Sequence, residues 1–355
     1  MAPAQRIRPD ALLSFTTDVL RAEDVPQPDA RLLADTLVTA ELWGHASHGM
    51  LRLPWYVARL RSGATARVTR IERVRDTGAL VVLDGGDGIG QVITDHAISL
   101  GVERAREYGV SAVGVRNSGH FGTAAYFTRK AADQGCVALL CTNASPAMAP
   151  WGGRRKSIGT NPWSIAAPAG RHGTVVMDLA NTAVARGKVY LAAERGTEIP
   201  AGWAADADGN PTTDPRRAID GLILPMAGPK GYVMSFMFDV LAGVLTGSAF
   251  GAGVAGPYQR DAPSGVGHLL LTIDVAAMAD PAAYADRVEA LVDATHSAET
   301  APWADRILVP GELEDQNFAE HATAGITLTA TTWTSLVTLA AETQVDLPPT
   351  EELAA

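Results

Sequence analysis

The sequence predicts an α/β fold with helical segments at both ends of the chain. Two observations indicate this fold class. Apolar residues recur with a helical period through residues 9–62, where Leu33, Leu37 and Ala40 form one stripe. Between residues 79 and 143, short apolar runs alternate with longer helical stretches, an alternation that is typical of α/β proteins.

The individual elements are predicted from the same patterns, in chain order. Strands are predicted where apolar runs end in glycine or polar residues, at 79–85, 111–117, 136–143, 174–180, 267–275 and 306–309. Helices are predicted where the spacing is amphipathic or glycines stand at the ends, at 91–108, 122–135, 281–296 and 329–342. The segments 146–162 and 200–215 are rich in glycine and proline and are predicted to be long loops.

The longest apolar stretch runs from Gly231 to Gly247 and contains one charged residue, Asp239. A membrane-spanning helix needs about 20 consecutive apolar residues. The stretch is shorter than that, so it is predicted to be a buried helix.

Composition and charge narrow the class of protein. Of 355 residues, 47% are hydrophobic and 19% charged, which is typical of a globular chain large enough for two subdomains. The net charge of -10 argues against binding to nucleic acid or to an anionic membrane. The N-terminus lacks the apolar core of a secretory signal. Cys136 and Cys141 fall on opposite faces of a predicted strand, so a disulfide between them is not indicated. Free, buried thiols and a cytoplasmic location are therefore expected.

The densest group of reactive side chains follows the second helical stripe. His45, Ser47 and His48 lie within the segment Gly44–Gly49, and Arg52 comes three residues later. A guanidinium binds a carboxylate through two parallel hydrogen bonds, and an imidazole exchanges protons near neutral pH. If helical geometry continued, Arg52 would lie one turn beyond His48 on the same face. The segment predicts a site for a small acid that gains or loses a proton; the alternative is a polar helix end in solvent.

One glycine cluster invites a Rossmann interpretation but does not fit it. Gly86, Gly88 and Gly90 follow a predicted strand, yet Gln91 stands where the motif G-x-G-x-x-G beginning at Gly86 needs glycine or alanine. An acidic ribose partner about 20 residues further on is also missing. The cluster is therefore predicted to be a turn.

The loop 117–123 is better suited to a phosphate, because backbone amides at a helix N-terminus attract anions. His120 in this loop adds a hydrogen-bonding ring, although a capping loop with an exposed histidine is the alternative. Lys230 begins an apolar helix, where the helix dipole disfavours a cation, and this placement points to an anionic partner or to a solvated turn.

Two other kinds of site are weighed. A hydrolase using Ser47 and His48 lacks a G-x-S-x-G elbow, and adjacent serine and histidine side chains rarely point at each other. A metal site of His45, His48 and His120 lacks a further ligand with standard spacing, so no metal is predicted.

Seven motifs, in order, resemble the malate/L-lactate dehydrogenase family that lacks a Rossmann fold. They are GHASHGMLRLPWY, NSGHFGTAAYF, TN…M.PWGG…GTNP, ARGKVYLA, IPAGWAADADGNPTTDP, GPKGY and RILVPGE. The family includes type-2 malate and lactate, ureidoglycolate and sulfolactate dehydrogenases, and reductases of diketogulonate and of Δ1-piperideine-2-carboxylate. The resemblance implies a three-layer α/β/α fold with a mixed sheet, helical N- and C-terminal parts, and a homodimer. It divides the chain into an N-terminal helical part (1–75), an α/β domain (76–325) and a C-terminal helix (326–355) that packs back on the first part.

The resemblance also implies a function and the roles of residues. The cofactor would be NAD or NADP, and the substrate a small 2-hydroxy or 2-oxo acid similar to malate, lactate or ureidoglycolate. His48 would be the general acid/base with Ser47 as its relay partner, Arg52 would clamp the substrate carboxylate, and His120 competes with His48 as proton acceptor. The other substrate-lining residues implied are Thr160, Arg186 and Gly187. The cofactor-binding residues implied are His120, Phe121, Gly122, Thr123, Ala124, Asp178, Leu179, Ala180, Pro229, Lys230, Ala304, Asp305, Arg306, Ile307 and Pro310.

The chain departs from the family pattern at three places. Lys188, which we place with His48, Ser47 and His120 among the candidate catalytic residues, stands where imine-reducing members carry a relay aspartate. Its presence favours 2-hydroxy acids over cyclic imines. Val233 replaces a frequent glycine, and Asn181-Thr182 replaces a pair of small hydroxyl residues. A reductase of cyclic 2-imino acids and, below it, a non-catalytic nicotinamide-binding protein are therefore the alternatives.

Overall fold

The structure is a computed structural model that describes residues 5–256 and 259–352. The α-helices of these residues are α1 (Pro9–Ala22), α2 (Gln27–Leu42), α3 (Leu53–Ser62), α4 (Gly90–Tyr108), α5 (Ala124–Ala132), α6 (Arg186–Arg195), α7 (Pro215–Asp220), α8 (Pro229–Asp239), α9 (Val275–Met278), α10 (Pro281–His296), α11 (Glu312–Ala324) and α12 (Ala330–Thr343). The strands are β1 (Gln5–Ile7), β2 (Glu72–Asp76), β3 (Leu80–Asp84), β4 (Val110–Ser118), β5 (Cys136–Thr142), β6 (Trp163–Pro168), β7 (Thr174–Leu179), β8 (Ala204–Ala205), β9 (Pro211–Thr212), β10 (Leu222–Ile223), β11 (Val266–Asp274), β12 (Ile326–Leu328) and β13 (Thr350–Glu352).

The centre of the molecule is a seven-stranded mixed sheet in the order β2-β3-β4-β11-β5-β6-β7. β3 and β4 pair in parallel, joined by α4, and the other neighbouring pairs are antiparallel. Val113 and Val115 of β4 pack with α4 and α5 on one face. Gly114 between them points to the other face, toward Thr246 beyond the π-helical turn Val240–Val244. The predicted three-layer α/β/α fold with a mixed sheet is confirmed.

The two ends of the chain share a second apolar core. Its buried side chains come from α1, α2, α3 and α12, and they include Leu12, Phe15, Leu33, Leu37, Leu53, Leu336 and Leu339. β1 also pairs with both β12 and β13 in a small antiparallel sheet. The C-terminal helix thus lies against the N-terminal helices, while the domain boundaries at residues 75 and 325 stay predictions.

One predicted strand is wrong. Residues 306–309 form no strand and pair with no strand among the described residues. The Val309 N–H donates to the Glu312 carboxylate at 2.9 Å, and Pro310 has no N–H to offer a ladder. A single backbone hydrogen bond, from the Val176 N–H to the Pro310 carbonyl at 3.1 Å, joins this segment to β7.

The apolar stretch 231–247 is helical, as α8 and the π-helical turn, but the prediction that it is buried is wrong for its outer face. Its buried side consists of small or polar residues such as Gly231, Ser235 and Asp239. The Asp239 carboxylate accepts hydrogen bonds from the Asn143 side chain (2.9 Å) and the Gly251 N–H (2.8 Å), which explains a charge in this stretch. The exposed apolar side chains of this stretch are Val233, Phe236, Met237, Val244 and Leu245.

The structure also tests the predictions of two long loops and of free, buried cysteines. The segment 200–215 is less irregular than predicted, because it contains β8 and β9, which form a small antiparallel sheet with β10. Residues 146–162 contain one isolated bridge, between Met148 and Ile158. Cys136 and Cys141 are free and buried in β5. Among the described residues, no helix is long and apolar enough to cross a membrane.

Candidate active site

The end of α2 leads directly into the reactive segment. The His45 N–H bonds to the Ala40 carbonyl at 2.7 Å, and the Gly44 N–H bonds to the Glu41 carbonyl at 2.9 Å. These two bonds form a helix stop in which Gly44 adopts a φ of 80°. A Cβ at Gly44 would also lie 2.9 Å from the Asn317 side-chain nitrogen. Glycine is therefore required here, and it sets the direction in which the histidines leave the helix.

Gly49 breaks the continuous helix that spacing alone suggested into two short 3-10 turns. Arg52 nevertheless stays beside the histidine segment, because its Nε donates to the Ser47 carbonyl at 2.7 Å. The Ser47 Oγ lies 3.0 Å from the His48 Nδ1. The expectation that these adjacent side chains would not point at each other is therefore wrong, and the contact that a serine–histidine relay needs is present.

His48 and His120, which are far apart in sequence, face each other. Their ring centroids are 5.7 Å apart with an angle of 19° between the planes. The His120 Nδ1 accepts the Gly122 N–H at 3.2 Å and lies 2.6 Å from the Tyr56 hydroxyl. Because a backbone amide can only donate, this nitrogen carries no proton and the neutral ring carries its proton on Nε2. His120 therefore presents an N–H group at Nε2. The His48 Nδ1 contacts a hydroxyl, which can donate or accept, so the tautomer of His48 is not fixed in this way.

Both histidines are neutral at pH 7. Burial lowers the pKa of His48 to about 4, and the nearby positive charges of Arg52 and His45 act in the same direction. Burial also holds the pKa of His120 well below its usual value, with His48 and Arg52 adding to the effect. A carboxylate bound to Arg52 would offset one of these positive charges and raise both pKa values.

A third buried histidine shows that a low pKa alone does not mark a reactive group. Burial lowers the pKa of His268 to about 3. Its Nδ1 lies 2.8 Å from the Thr142 hydroxyl and its Nε2 lies 2.8 Å from the Ser118 hydroxyl. Both ring nitrogens are thus occupied, which is the arrangement of a structural histidine.

The glycine cluster before α4 is a turn, as predicted, and it supports the His120 loop. A Cβ at Gly90 would lie 2.5 Å from the carbonyl oxygens of Gly119 and His120. The Asn117 side chain, at the start of that loop, donates to both carboxylate oxygens of Asp84 at 3.1 and 3.0 Å. The loop is held from both sides by contacts that bulkier or apolar residues would remove.

The N-terminus of α5 offers groups that fit a nicotinamide cofactor. The Thr123 hydroxyl is buried and has no hydrogen-bond partner among the described residues. Gly122 has a φ of +87°, with open space where a Cβ would be. The Asp178 carboxylate accepts the Ala125 N–H at 2.8 Å, and burial raises its pKa. Phe121 packs into the core against Phe127, so only its backbone is available to a ligand.

The loop that follows β7 brings further predicted residues to the same edge. The Asn181 N–H bonds to the Thr160 carbonyl at 3.0 Å, and the Met226 N–H bonds to the Asn181 carbonyl at 3.0 Å. A Cβ at Gly231 would lie 2.7 Å from that Asn181 oxygen, so Pro229 and Lys230 begin α8 close to this loop. Leu179 and Ala180 are exposed beside it.

The predicted cofactor residues near residue 310 divide into two groups. Pro310 touches β7 through the Val176 N–H. Residues 304–307 lie in the irregular segment before it, and no hydrogen bond among the described residues joins them to β7. The residues that meet around the end of β7 are therefore those of the His120 loop, residues 178–180, the start of α8 and Pro310.

The start of α6 carries three of the predicted residues, Arg186, Gly187 and Lys188. The Arg186 Nη2 donates to the Ile219 carbonyl at 3.3 Å, and its guanidinium lies 5.7 Å from the Tyr190 ring centroid. Gly187 and Lys188 are exposed. Within the part of the chain that the structure describes, no hydrogen bond or ring contact joins these residues to His48 or His120.

Sequence reasoning missed three residues beside the histidines. Trp55 contacts the His120 ring edge at 5.3 Å, and Tyr56 bonds to it. Trp55 follows Arg52 by three residues and Tyr56 follows it by four, and this spacing places each on the same helical face as Arg52. The spacing could therefore have identified both residues from the sequence. Gln91 is fully buried and lines a small cavity with Tyr56 and His120. No sequence signal singled it out.

Over residues 5–256 and 259–352, no group of three His, Cys, Asp or Glu side chains could hold a metal ion. The described side chains therefore give no structural support to the alternative of a metal site.

Comparison with known proteins identifies the family of this chain. The family model described as malate/L-lactate dehydrogenase matches residues 7–337. An L-sulfolactate dehydrogenase from Methanothermobacter thermautotrophicus is 36% identical over 96% of this chain and 98% of that protein. A (2R)-3-sulfolactate dehydrogenase (NADP(+)) from Chromohalobacter salexigens is 43% identical over 78% of this chain and 82% of that protein.

The fold is also similar to a solved structure over nearly the whole chain. The sulfolactate dehydrogenase from Methanocaldococcus jannaschii has a TM-score of 0.91 and 34% identity, covering 96% of this chain and 98% of that one. The predictions of an oxidoreductase and of NAD or NADP as its cofactor are confirmed. The chain belongs to the malate/L-lactate dehydrogenase family.

Proposed function

We propose that this enzyme interconverts a small 2-hydroxy acid and its 2-oxo acid, using NAD or NADP, with His48 as general acid/base and Arg52 as carboxylate clamp. The observation that carries the proposal is the meeting of one guanidinium and two neutral imidazoles, with His48 and His120 5.7 Å apart. Each of these groups has a distinct task in such a reaction.

Arg52 binds the substrate carboxylate. Its Nε donates a hydrogen bond to the Ser47 carbonyl, and its terminal nitrogens make no hydrogen bond among the described residues. Those nitrogens are therefore free to form paired hydrogen bonds to a carboxylate. Holding the carboxylate fixes the neighbouring carbon, which is the reacting centre of a 2-hydroxy acid.

His48 moves the proton and His120 holds the reacting oxygen. His120 already carries a proton on Nε2, so it donates a hydrogen bond to the hydroxyl or carbonyl oxygen. His48 can place its own proton on Nδ1 toward Ser47 and leave Nε2 free to accept the hydroxyl proton during oxidation. In the reverse direction His48 returns that proton to the developing alkoxide.

The cofactor would be held around the end of β7. The orphaned Thr123 hydroxyl, the open face of Gly122 and the start of α8 with Lys230 support this location. When bound there, the nicotinamide supplies or accepts the hydride. The chain contributes position, exclusion of water and the proton.

A substrate with a second anionic group is favoured. The relatives compared above are named sulfolactate dehydrogenases, and sulfolactate carries a sulfonate besides its carboxylate. The basic start of α6, with the half-buried Arg186 and the exposed Lys188, offers charges suited to such a group. Reduction of a cyclic 2-imino acid is the second candidate, and Lys188 in place of a relay aspartate counts against it.

We also propose that the chain forms a homodimer through the outer face of α8 and the π-helical turn. The exposed apolar side chains there are Val233, Phe236, Met237, Val244, Leu245 and Phe250. A contiguous apolar surface of this kind marks a protein interface. The double variant F236E/L245E should sediment as a monomer, whereas M278E, which changes an exposed methionine on α9, should not alter the mass. A monomeric wild-type protein at micromolar concentration would refute the proposal.

A reducing, cytoplasmic compartment is proposed on the basis of the two free, buried cysteines. Cell fractionation tests this, and recovery of the protein outside the cytoplasm would overturn it.

A substrate panel tests the proposed activity. Oxidation of sulfolactate, malate, lactate and ureidoglycolate would be followed by nicotinamide absorbance with NAD and NADP separately. Reduction of 2-oxo acids and cyclic imines would be followed with the reduced cofactors. Turnover of a 2-hydroxy acid that is lost in H48Q supports the proposal. Turnover of cyclic imines alone would replace it with the second candidate, and cofactor binding without any turnover would favour a non-catalytic protein.

A further inference from the structure

A buried acidic side chain lies directly beneath the turn that carries His48. Glu41 is the penultimate residue of α2 and is 6% exposed. One of its carboxylate oxygens accepts the N–H of Met50 at 2.7 Å. Among the described residues, no arginine or lysine forms an ion pair with it. Burying a carboxylate without a partner of opposite charge is costly, so a purely structural role explains this residue poorly.

The same carboxyl group explains why residue 49 is glycine. A Cβ at Gly49 would lie 2.3 Å from the Glu41 Oε1, 2.5 Å from its Cδ and 2.6 Å from its Cγ. The backbone of Gly49 has a φ of −94° and a ψ of −138°. A side chain at position 49 would push the Glu41 carboxyl group aside.

The elements around Glu41 hold the base of the same turn. The His321 Nδ1 donates to the Leu42 carbonyl at 2.9 Å, and the Asn317 side chain donates to the Trp43 carbonyl at 3.1 Å. Both residues lie on α11. From α1, the Thr16 hydroxyl reaches the Met50 sulfur at 3.5 Å. Glu41 is thus one of several buried supports that converge on the segment from residue 42 to residue 50.

We propose that Glu41 is a positioning residue, whose ionised carboxylate holds Gly49 and Met50 and thereby fixes the arrangement of His48 and Arg52. The inference rests on the proposed function of those two residues. It goes beyond that function because it assigns a role to a group that touches neither substrate nor cofactor.

Ionisation of Glu41 should make this support depend on pH. Burial raises the pKa of Glu41 to about 7, against the opposing effects of the Met50 N–H and of His321. His321 is the titratable group on α11 whose charge acts on Glu41, and His45, His48 and Arg52 lie in the supported turn itself. A charged acceptor binds an N–H about twice as strongly as a neutral one. The turn is therefore held most firmly above pH 7 and less firmly as Glu41 takes up a proton.

The variant E41Q tests this dependence. Its amide oxygen can still accept the Met50 N–H but carries no charge, so it resembles protonated Glu41 at every pH. We expect kcat/KM about fivefold below wild type at pH 8.5, in line with the loss of about half of a charge-assisted hydrogen bond. The difference should vanish near pH 6, and the Tm should be unchanged or higher. E320Q, which makes the same charge change at an exposed site on α11, is the matched control and should follow wild type.

A double-mutant cycle tests the contact itself. G49A should lower kcat/KM about tenfold or more by pushing the Glu41 carboxyl aside, whereas in the E41A background the same substitution should cost less than about twofold. Equal losses from G49A in both backgrounds would overturn the contact. Cofactor affinity and far-UV circular dichroism verify that each variant is folded.

The results of these experiments distinguish the role of Glu41 from the proposed function of His48 and Arg52. Loss of activity in H48Q and R52A together with wild-type pH behaviour in E41Q overturns the role of Glu41 alone. Retained activity in H48Q and R52A overturns the proposed function on which that role depends.

Discussion

The turn with His48 and Arg52 and the start of α6 with Arg186 differ in how they are held. In the turn, backbone and side chains have partners within the chain, including the Ser47 carbonyl for Arg52 and the buried Glu41 carboxylate for Met50. At the start of α6, Gly187 and Lys188 are exposed, and Arg186 reaches a single carbonyl at 3.3 Å. The first region is preorganised within one chain. We expect the second to act only when substrate or a second copy of the chain covers it.

The largest expected effect separates the two arginines. R52A should lower kcat/KM by roughly 10²–10⁴, since two hydrogen bonds to a carboxylate are each worth about 1.5–3 kcal/mol. R186A should lower it by about tenfold or less, mainly through KM, because an exposed charge pair contributes at most about 1 kcal/mol. Steady-state kinetics on the substrate found in the panel measures both. An equal loss in the two variants would remove the distinction between the regions.

Substitutions of His120 are expected to lower activity less than R52A does, and comparing two of them tests the N–H group directly. H120F should lower kcat by about 10²-fold, as does removal of a donor to a developing oxyanion. H120N keeps an N–H donor and should retain more activity than H120F. If both variants behave alike, His120 does not act through its N–H.

The electrostatic link between Arg52 and His48 is expected to appear as a pKa change. Replacing Arg52 with Met removes a positive charge that disfavours the imidazolium, so the pKa of His48 should rise from about 4 toward its ordinary value. NMR titration of the His48 ring in free enzyme measures this shift. An unchanged or lower pKa in R52M would show that the guanidinium does not act on this histidine.

The smallest effect is expected at Lys188. Because this side chain is exposed and makes no side-chain hydrogen bond in the described structure, K188A should change kcat by less than about threefold. A tenfold loss measured with the same substrate would place Lys188 among the residues that act in the reaction and would weaken the contrast between the two regions.

Local patterns were enough to predict much of the fold. The helical stripes of α1 and α2, the strands β3 to β5 and the glycine stops around α4 and α5 follow from residue spacing. Residues 306–309 do not, because a strand needs a partner and this segment's N–H at Val309 is taken by a side chain. The outer face of α8 is apolar yet exposed, and an apolar sequence pattern alone does not show whether a helix face packs into the core.

The candidate site was predictable only where neighbours in sequence are neighbours in space. His48, Ser47 and Arg52 lie on one short segment and could be grouped directly. His120 could be joined to them only by resemblance, because 72 residues separate it from His48 along the chain. The proposed role of Glu41 and the burial of Gln91 depend on long-range packing, which a sequence read along its length does not reveal.

The most direct test of the central claim is the kcat of H48Q in the oxidation of a 2-hydroxy acid. Glutamine keeps a polar side chain of similar size but cannot accept the substrate proton. The account predicts a loss of about 10²–10⁴-fold in kcat, with cofactor affinity unchanged. A kcat within threefold of wild type would contradict it, and the proton acceptor would then have to be sought elsewhere, first at His120.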